Sequence, residues 1–340
     1  MGRTTIVARG IGLLAIAAGM TAMSSAAYAQ TREVSIALFV AIQANPVEQA
    51  IINAFEKVAA EDGAARFVVF DSNNSVQKQI ANCNDAIAAH KFDAFALKPV
   101  AGPPLMACAE KALAAGIPVV VFGNALGPDP HTAARQVKGL TASVVELAKT
   151  NGIAIAELVN AACETKAAAP CEVIYTYGPL AFDWASISRK FFVETIAERY
   201  KSIKIVADGT NNFDPNLART LVKSLMQVHP EVDVIAADAD LGALGVVAGL
   251  KDLGKAPGKD VLVTGGAFSN AGKDMLNGGE IFGSTCLMPI TEARTAAKYA
   301  ILAARGEPID QPDVEVCAVF SPTGVAPITA ENAVKFTPEW

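Results

Sequence analysis

The 340-residue chain has little of what most exported enzymes use for chemistry. It holds three histidines, His90, His131 and His229, which lie far apart. Its six cysteines include no Cys-x-x-Cys pair. No zinc-ligand spacing results, and no metal is expected. There is no Gly-x-Gly-x-x-Gly after the first predicted strand and no Gly-x-Ser-x-Gly elbow. The first strand-to-helix turn has no glycine, so a dinucleotide pyrophosphate finds no close backbone approach, and no cofactor is expected. Basic clusters are missing from a chain of formal charge −6, which argues against nucleic acid and anionic lipid as partners. Beyond residue 29 no charge-free apolar run reaches the ~20 residues needed to span a bilayer.

What is present begins with a targeting pattern. Arg3 and Arg9 form a basic start, residues 11–20 are apolar, and Ala27-Tyr28-Ala29 is a small-x-small site before Gln30. Residues 1–29 therefore read as a secretory signal peptide. A membrane anchor is the competing reading, but the apolar stretch is too short for it. Cleavage removes two arginines and no acids, moving the formal charge from −6 to −8. The remaining chain is expected to be soluble in the periplasm and long enough for two domains.

Residues 34–42 form a nearly unbroken apolar run, which predicts a strand buried on both faces of a parallel sheet. The strand stops at Gln43, and Asn45-Pro46 has the chemistry of an N-cap followed by a first helical residue. Glu48 reads as a capping-box acid. Open α/β folds bind ligands at the carboxyl ends of their strands, so Gln43 and Asn45 are candidate contacts. Strands then alternate with helices up to residue 122, predicting a parallel sheet. After a loop rich in Gly, Pro and Asn, the alternation restarts and gives a second unit of similar size. A strand over 281–288, a helix over 291–305 and a strand over 314–320 close the chain. Periodicity leaves open whether that helix caps the second unit or returns to the first. Lys98 reads as a solvated strand end, and His90 lies at a helix end, where a cation is mildly favourable.

Several motifs, in order, carry a resemblance. They are Asn45-Pro46, the run Ala114-Ala115-Gly116-Ile117-Pro118-Val119-Val120-Val121, the pair His229-Pro230, Asp240-x-x-Ala243-x-Gly245, and the ending Ala303-Ala304-Arg305-Gly306-Glu307-Pro308. From about residue 34 to 319 the chain resembles periplasmic substrate-binding proteins of the ribose and galactose type, the exported partners of ABC importers. The resemblance implies an α/β fold of two Rossmann-like lobes with parallel sheets and a three-segment hinge. It implies an N-terminal lobe of residues 33–145 plus 288–315 and a C-terminal lobe of 146–287 plus 316–340. The crossings fall near Glu146, Leu287 and Val316, and the last helix returns to the first lobe. A small ligand would sit between lobes that close on it.

The ligand positions that the resemblance implies carry over in part. Sugar binders of this type usually have aromatics after Asn-Pro; Val47 and Glu48 stand there. An Asp-Arg pair usually follows the fourth strand; Gly123-Asn124 does here. The usual arginine near Ser186 is missing, Arg189 being the first. The usual aspartate after Thr264 gives way to Gly265-Gly266-Ala267-Phe268, and Leu287 takes a place that is commonly polar. Asn45, Phe213 and Asp240 survive, and Phe182 and Trp184 add aromatic surface. Gln43, Asn45, Asn124, Trp184, Phe213, Asp240 and Phe268 are thus the candidate ligand contacts, although Asp240 reads equally as a helix cap. A sugar hydroxyl buried unpaired costs roughly 1–3 kcal/mol, so this pocket suits a sugar-like, partly apolar ligand. Binding by a monomer that works with an inner-membrane ABC permease is the leading reading. An exported enzyme on a two-lobe fold and a sensor feeding a membrane receptor are the alternatives. A sugar-responsive repressor is excluded by an export signal in place of a DNA-binding headpiece.

Six cysteines allow fifteen pairings, and spacing alone does not choose among them. Cys83 and Cys108 lie on the apolar stripes of successive helices. With sheet order 2-1-3-4, right-handed crossovers set these side by side. Cys163 and Cys171 flank the short loop TKAAAP. Cys286 and Cys317 lie on strands that, in the family resembled, run together across the hinge. The expected bonds are Cys83–Cys108, Cys163–Cys171 and Cys286–Cys317.

Processing after Ala29 makes Gln30 the first residue of the exported protein. N-terminal mass mapping of protein from a native exporter checks this, and retention of residues 11–20 contradicts it.

Overall fold

The computed structural model describes residues 1–2, 32–166, 169–317 and 327–340. Residues 1–29, expected to be a signal peptide, fall almost wholly outside them. Strand β1 (Val34–Val40) is buried at every position. Ile36, Leu38 and Val40 face one core, while Ala37 and Phe39 face another. A strand covered on both sides has no reason to alternate polar with apolar, which is why this one reads as a continuous run. Helix α1 (Pro46–Asp62) follows, with Asn45 Oδ1 accepting from the Val47 backbone N–H at 2.8 Å. The remaining elements of the first sheet are β2 (Ala65–Asp71), α2 (Val76–Ala88), β3 (Ala94–Leu97), α3 (Gly102–Ala114), β4 (Val119–Gly123) and β5 (Ala142–Val145).

The chain then builds a second sheet. Its elements are α4 (Ala148–Lys166), β6 (Cys171–Tyr177), α5 (Asp183–Arg199), β7 (Ile203–Thr210), α6 (Pro215–Val228), β8 (Val234–Ala237), α7 (Asp240–Asp252), β9 (Leu262–Thr264), α8 (Asn270–Asn277) and β10 (Gly283–Thr285). Helix α9 (Pro289–Arg305), β11 (Asp313–Glu315) and β12 (Pro327–Thr329) finish it. The sheet orders are β11-β5-β4-β3-β1-β2 and β12-β10-β9-β8-β6-β7. All pairings are parallel except β10 with β12.

Helix α9 lays Ala293, Ala296, Ala297, Ala300 and Ala304 into the core shared by β1 and α1. Small side chains at helical spacing let it lie close to the first sheet. The chain therefore passes between the sheets three times: after β5, after β10, and between β11 and β12. Parallel strands of one sheet end on one side, so the turns after β1, β3, β4 and β5 gather together, as do those after β6, β7, β8 and β9.

Several expectations are corrected. The expected strand 34–42 ends at Val40, because the backbone turns at Ala41 toward the helix cap. The expected strand 281–288 contracts to β10, because the chain leaves the second sheet at Cys286 to reach α9. The expected strand 314–320 contracts to β11, and residues 318–326 lie outside the described residues. Strand β12 was not legible in the sequence: its three residues form a strand only because β10 offers an edge.

Three disulfides staple this frame. Cys83 joins Cys108 across α2 and α3, with Cα atoms 6.1 Å apart. Cys163 joins Cys171 at 5.8 Å, between the end of α4 and the start of β6. Cys286 joins Cys317 at 6.2 Å, and so ties the second crossing to the third. Non-reducing peptide mapping should return these three linkages. Reduction should cost roughly 2–4 kcal/mol of stability per bond, read by chemical denaturation. Linkage of Cys83 to any other cysteine would contradict α2 and α3 lying side by side.

Candidate ligand-binding site

Between the two sheets lies a cleft of about 710 Å³, its open mouth included. Small-molecule sites typically span about 300–1,000 Å³. The first sheet contributes Ala41 and Ile42 after β1, Lys98 after β3, and Gly123 and Asn124 at the end of β4. The start of α1 brings Asn45, Val47 and Glu48. Glu146 stands on the first crossing, Leu287 on the second, and Glu292 in the first turn of α9. From the second sheet come Phe182, Trp184, Phe213, Ala239, Leu241 and Ala267, and the chain's last residue, Trp340, joins them.

The polar half is organised around Lys98. The residue is 7% exposed, and its Nζ donates to Glu48 Oε1. Glu48 Oε2 is buried without a hydrogen-bond partner. Gly123, at φ +77°, lets the lysine pass beneath it: a Cβ there would stand 2.8 Å from Lys98 Cε. The Gly123 backbone N–H donates to Glu292 Oε1. Burial raises the Glu292 carboxyl to about 7, with the Lys98 ammonium and the Gly123 N–H opposing the rise. Burial, and then the neighbouring Glu292, hold Glu146 well above the usual carboxylate range. Asn124 donates from Nδ2 to the Pro99 carbonyl at 2.8 Å, which fixes its amide at the cleft edge.

The other half is apolar. Phe213 adopts φ +57°, held by its N–H donating to Asn211 Oδ1 at 2.8 Å. Gly178 leaves room for the ring, since a Cβ there would lie 2.0 Å from Phe213 Cζ. The ring meets Trp184 edge-on at 6.0 Å and Phe182 at 6.3 Å. Trp340 is anchored from two sides. Its carbonyl accepts from the Asn270 backbone N–H at 2.8 Å and from Asn270 Nδ2 at 2.7 Å. Next to it, Glu339 Oε2 accepts from the N–H groups of Ile290 and Thr291 at 2.8 and 2.9 Å. A carboxylate at these first N–H groups of α9 satisfies donors the helix itself cannot pair.

Of the candidates from sequence, Asn45, Asn124, Trp184 and Phe213 line the cleft. Gln43 does not; it is exposed on the turn, with its backbone N–H donating to Asp71 Oδ1 at 3.1 Å. Asp240 is fully buried away from the cleft and does not cap α7. Its carboxylate accepts from the Ser269 N–H at 2.8 Å, Ser269 Oγ at 3.0 Å and Ser284 Oγ at 2.8 Å, joining α7 to α8 and β10. Phe268 packs into the second-sheet core with Met275 and Ile328. Ala267, one residue earlier and at φ +56°, takes the cleft position.

Two bland readings are also corrected. Glu48 is no capping-box acid and Lys98 no solvated strand end: each is buried and paired with the other. Arg189 stays outside, bound to Asp208 and stacked over the Tyr177 ring at 4.9 Å. Sequence reading missed Glu292 and Trp340 altogether. A lysine ending a parallel strand was a usable sign of the first-sheet cluster; nothing in the tail marked Trp340. Among the described residues, no group of three or more His, Cys, Asp or Glu side chains is placed to hold a metal ion. No described helix is long and apolar enough to cross a membrane.

Comparison with known proteins agrees with this architecture. Residues 36–308 match the periplasmic binding protein domain. The ribose import binding protein RbsB of Bacillus subtilis is 25% identical over 234 residues, covering 69% of this chain and 70% of that protein. RbsB of Escherichia coli is 24% identical over 275 residues, covering 81% and 86%. Among solved structures, an ABC transporter solute binding protein from Bacillus halodurans with bound myo-inositol superposes with a TM-score of 0.76 at 20% identity, covering 92% of this chain and 100% of that one. The Caulobacter myo-inositol binding protein superposes with a TM-score of 0.73 at 18% identity, covering 89% and 96%. At such identities the superpositions speak for the fold, and the domain match speaks for descent. The chain belongs to the periplasmic binding protein family, as a type I member of the ribose and galactose kind.

Proposed function

We propose that this chain, exported and cleaved after Ala29, is the periplasmic solute-binding component of an ABC importer. In this reading it works as a monomer without cofactor or turnover, and hands its solute to a permease in the inner membrane. Residues 33–145 with 288–315, and 146–287 with 316–340, act as the two hinged lobes. The ligand is a small carbohydrate or a related, partly apolar solute. One observation carries the reading: a cleft lined from the strand ends of both sheets and from two of the crossings, so that a bound solute touches everything that moves when the lobes close. The relatives named for ribose and the neighbours holding myo-inositol support the solute class.

A thermal-shift screen of sugars, polyols and small aromatic solutes on protein lacking residues 1–29 tests it. Ligand that binds only the folded state raises the melting temperature by mass action. No shift with any class, or turnover of a bound compound, would count against the reading.

Replacing Phe213 or Trp184 by Ala should remove roughly 1.5–3 kcal/mol of binding, the scale of one large buried side chain. Titration calorimetry should then show Kd rising about ten- to hundredfold. Unchanged Kd in both variants would move the ligand elsewhere.

A further inference from the structure

The two halves of the cleft differ in a way that narrows the ligand, given the solute-binding reading above. Among the described residues, the second sheet and the tail bring no ionisable side chain to the cleft; its wall there is apolar or aromatic, from Phe182, Trp184 and Phe213 to Trp340, whose indole N–H is buried without a partner. Among the described residues, the ionisable side chains lining it are Glu48, Glu146, Glu292 and one cation, Lys98, all on the first-lobe side or the crossing. Glu48 is 4% exposed, and its Oε2 is unpartnered. A solute with hydroxyls all round would press several of them against an apolar wall on closure and leave them unpaired. An anionic solute would meet three carboxyls.

We propose that the cleft takes a solute with two unlike ends: a protonated amine directed at the carboxyls around Lys98, and a ring or chain without polar groups held by the second lobe's aromatics. The match is one of charge and shape. Among the described lining residues acids outnumber cations three to one, the unpartnered carboxyl oxygen of Glu48 is an acceptor awaiting a donor, and the aromatic side chains offer apolar surface to bury a carbon skeleton.

A pH signature follows. Glu292 faces Lys98, Glu48, Glu146 and Glu339, and holds its proton up to about pH 7. An incoming cation favours the ionised carboxylate, so the complex carries fewer protons than the free protein. Amine affinity therefore falls as the pH drops through 7, while affinity for a neutral solute does not.

A matched trio tests this: 3-phenylpropylamine, 3-phenylpropanol and 3-phenylpropionate, with ribose and myo-inositol alongside. The chain's two tryptophans, Trp184 and Trp340, both line the cleft, so intrinsic fluorescence reports occupancy directly. The amine is expected to change the emission and raise the melting temperature, to bind roughly tenfold tighter than the alcohol, and to weaken between pH 8 and pH 6. The propionate should not bind. Glu292→Gln should abolish the pH dependence; if that variant does not fold, Glu48→Gln should lower the preference for amine over alcohol. Tighter binding of the propionate or of either sugar, or no binding of the amine, overturns the proposal. Binding of the sugars alone would leave the solute-binding reading intact, whereas silence across the whole panel and the wider screen would remove both.

Discussion

Lys98 occupies the place where the first helix, the last long helix and the first crossing meet. An ammonium withdrawn from water is tolerated only when charges and hydrogen bonds surround it. Here Glu48 is its direct partner, and Glu292 and Glu146 lie within its field. The consequences spread outward. Gly123 must lack a side chain, because the lysine runs beneath it. Glu292 must sit in the first turn of α9, where it also receives the Gly123 N–H. The first and last parts of the first lobe are thus joined through one buried cation, at the carboxyl edge of the sheet where the cleft begins.

The second lobe solves its half of the cleft by different means. Phe213 accepts a left-handed backbone, and its ring displaces any Cβ at position 178. Trp184 and Phe182 complete an edge-to-face group around it. Such geometry packs large rings without stacking them flat. The tail crosses from β12 to the start of α9, with Glu339 on that helix and the Trp340 carbonyl on Asn270. The aromatic wall is therefore borrowed partly from a segment far along the chain. In the proposed closure, apolar area leaving water at such a wall would supply the drive.

Local signals survived folding wherever the chain's own neighbours decided the outcome. Asn45-Pro46 capped α1, and the continuous apolar runs became strands buried on both faces. The alternation of strands and helices gave two parallel sheets. Signals failed where a distant partner decided. Glu48 had the spacing of a capping acid, but Lys98, fifty residues on, drew it inward. Asp240 looked like a contact or a cap, but Ser269 and Ser284 surround it. Phe268 had the right chemistry for the cleft one residue out of place, because Ala267 turns the backbone.

The sequence alone determined the two-sheet α/β plan, because strand burial and helix caps are written in neighbouring residues. The lack of glycine in the first turn and of catalytic motifs gave the expectation of a cleft that holds a solute by side chains. The tertiary structure alone decided which carboxyls line the cleft, that its ionisable groups among the described residues fall on the first-lobe side or the crossing, and that Trp340 stands on the other. Those outcomes depend on contacts between segments up to three hundred residues apart, and periodicity carries no information over that range.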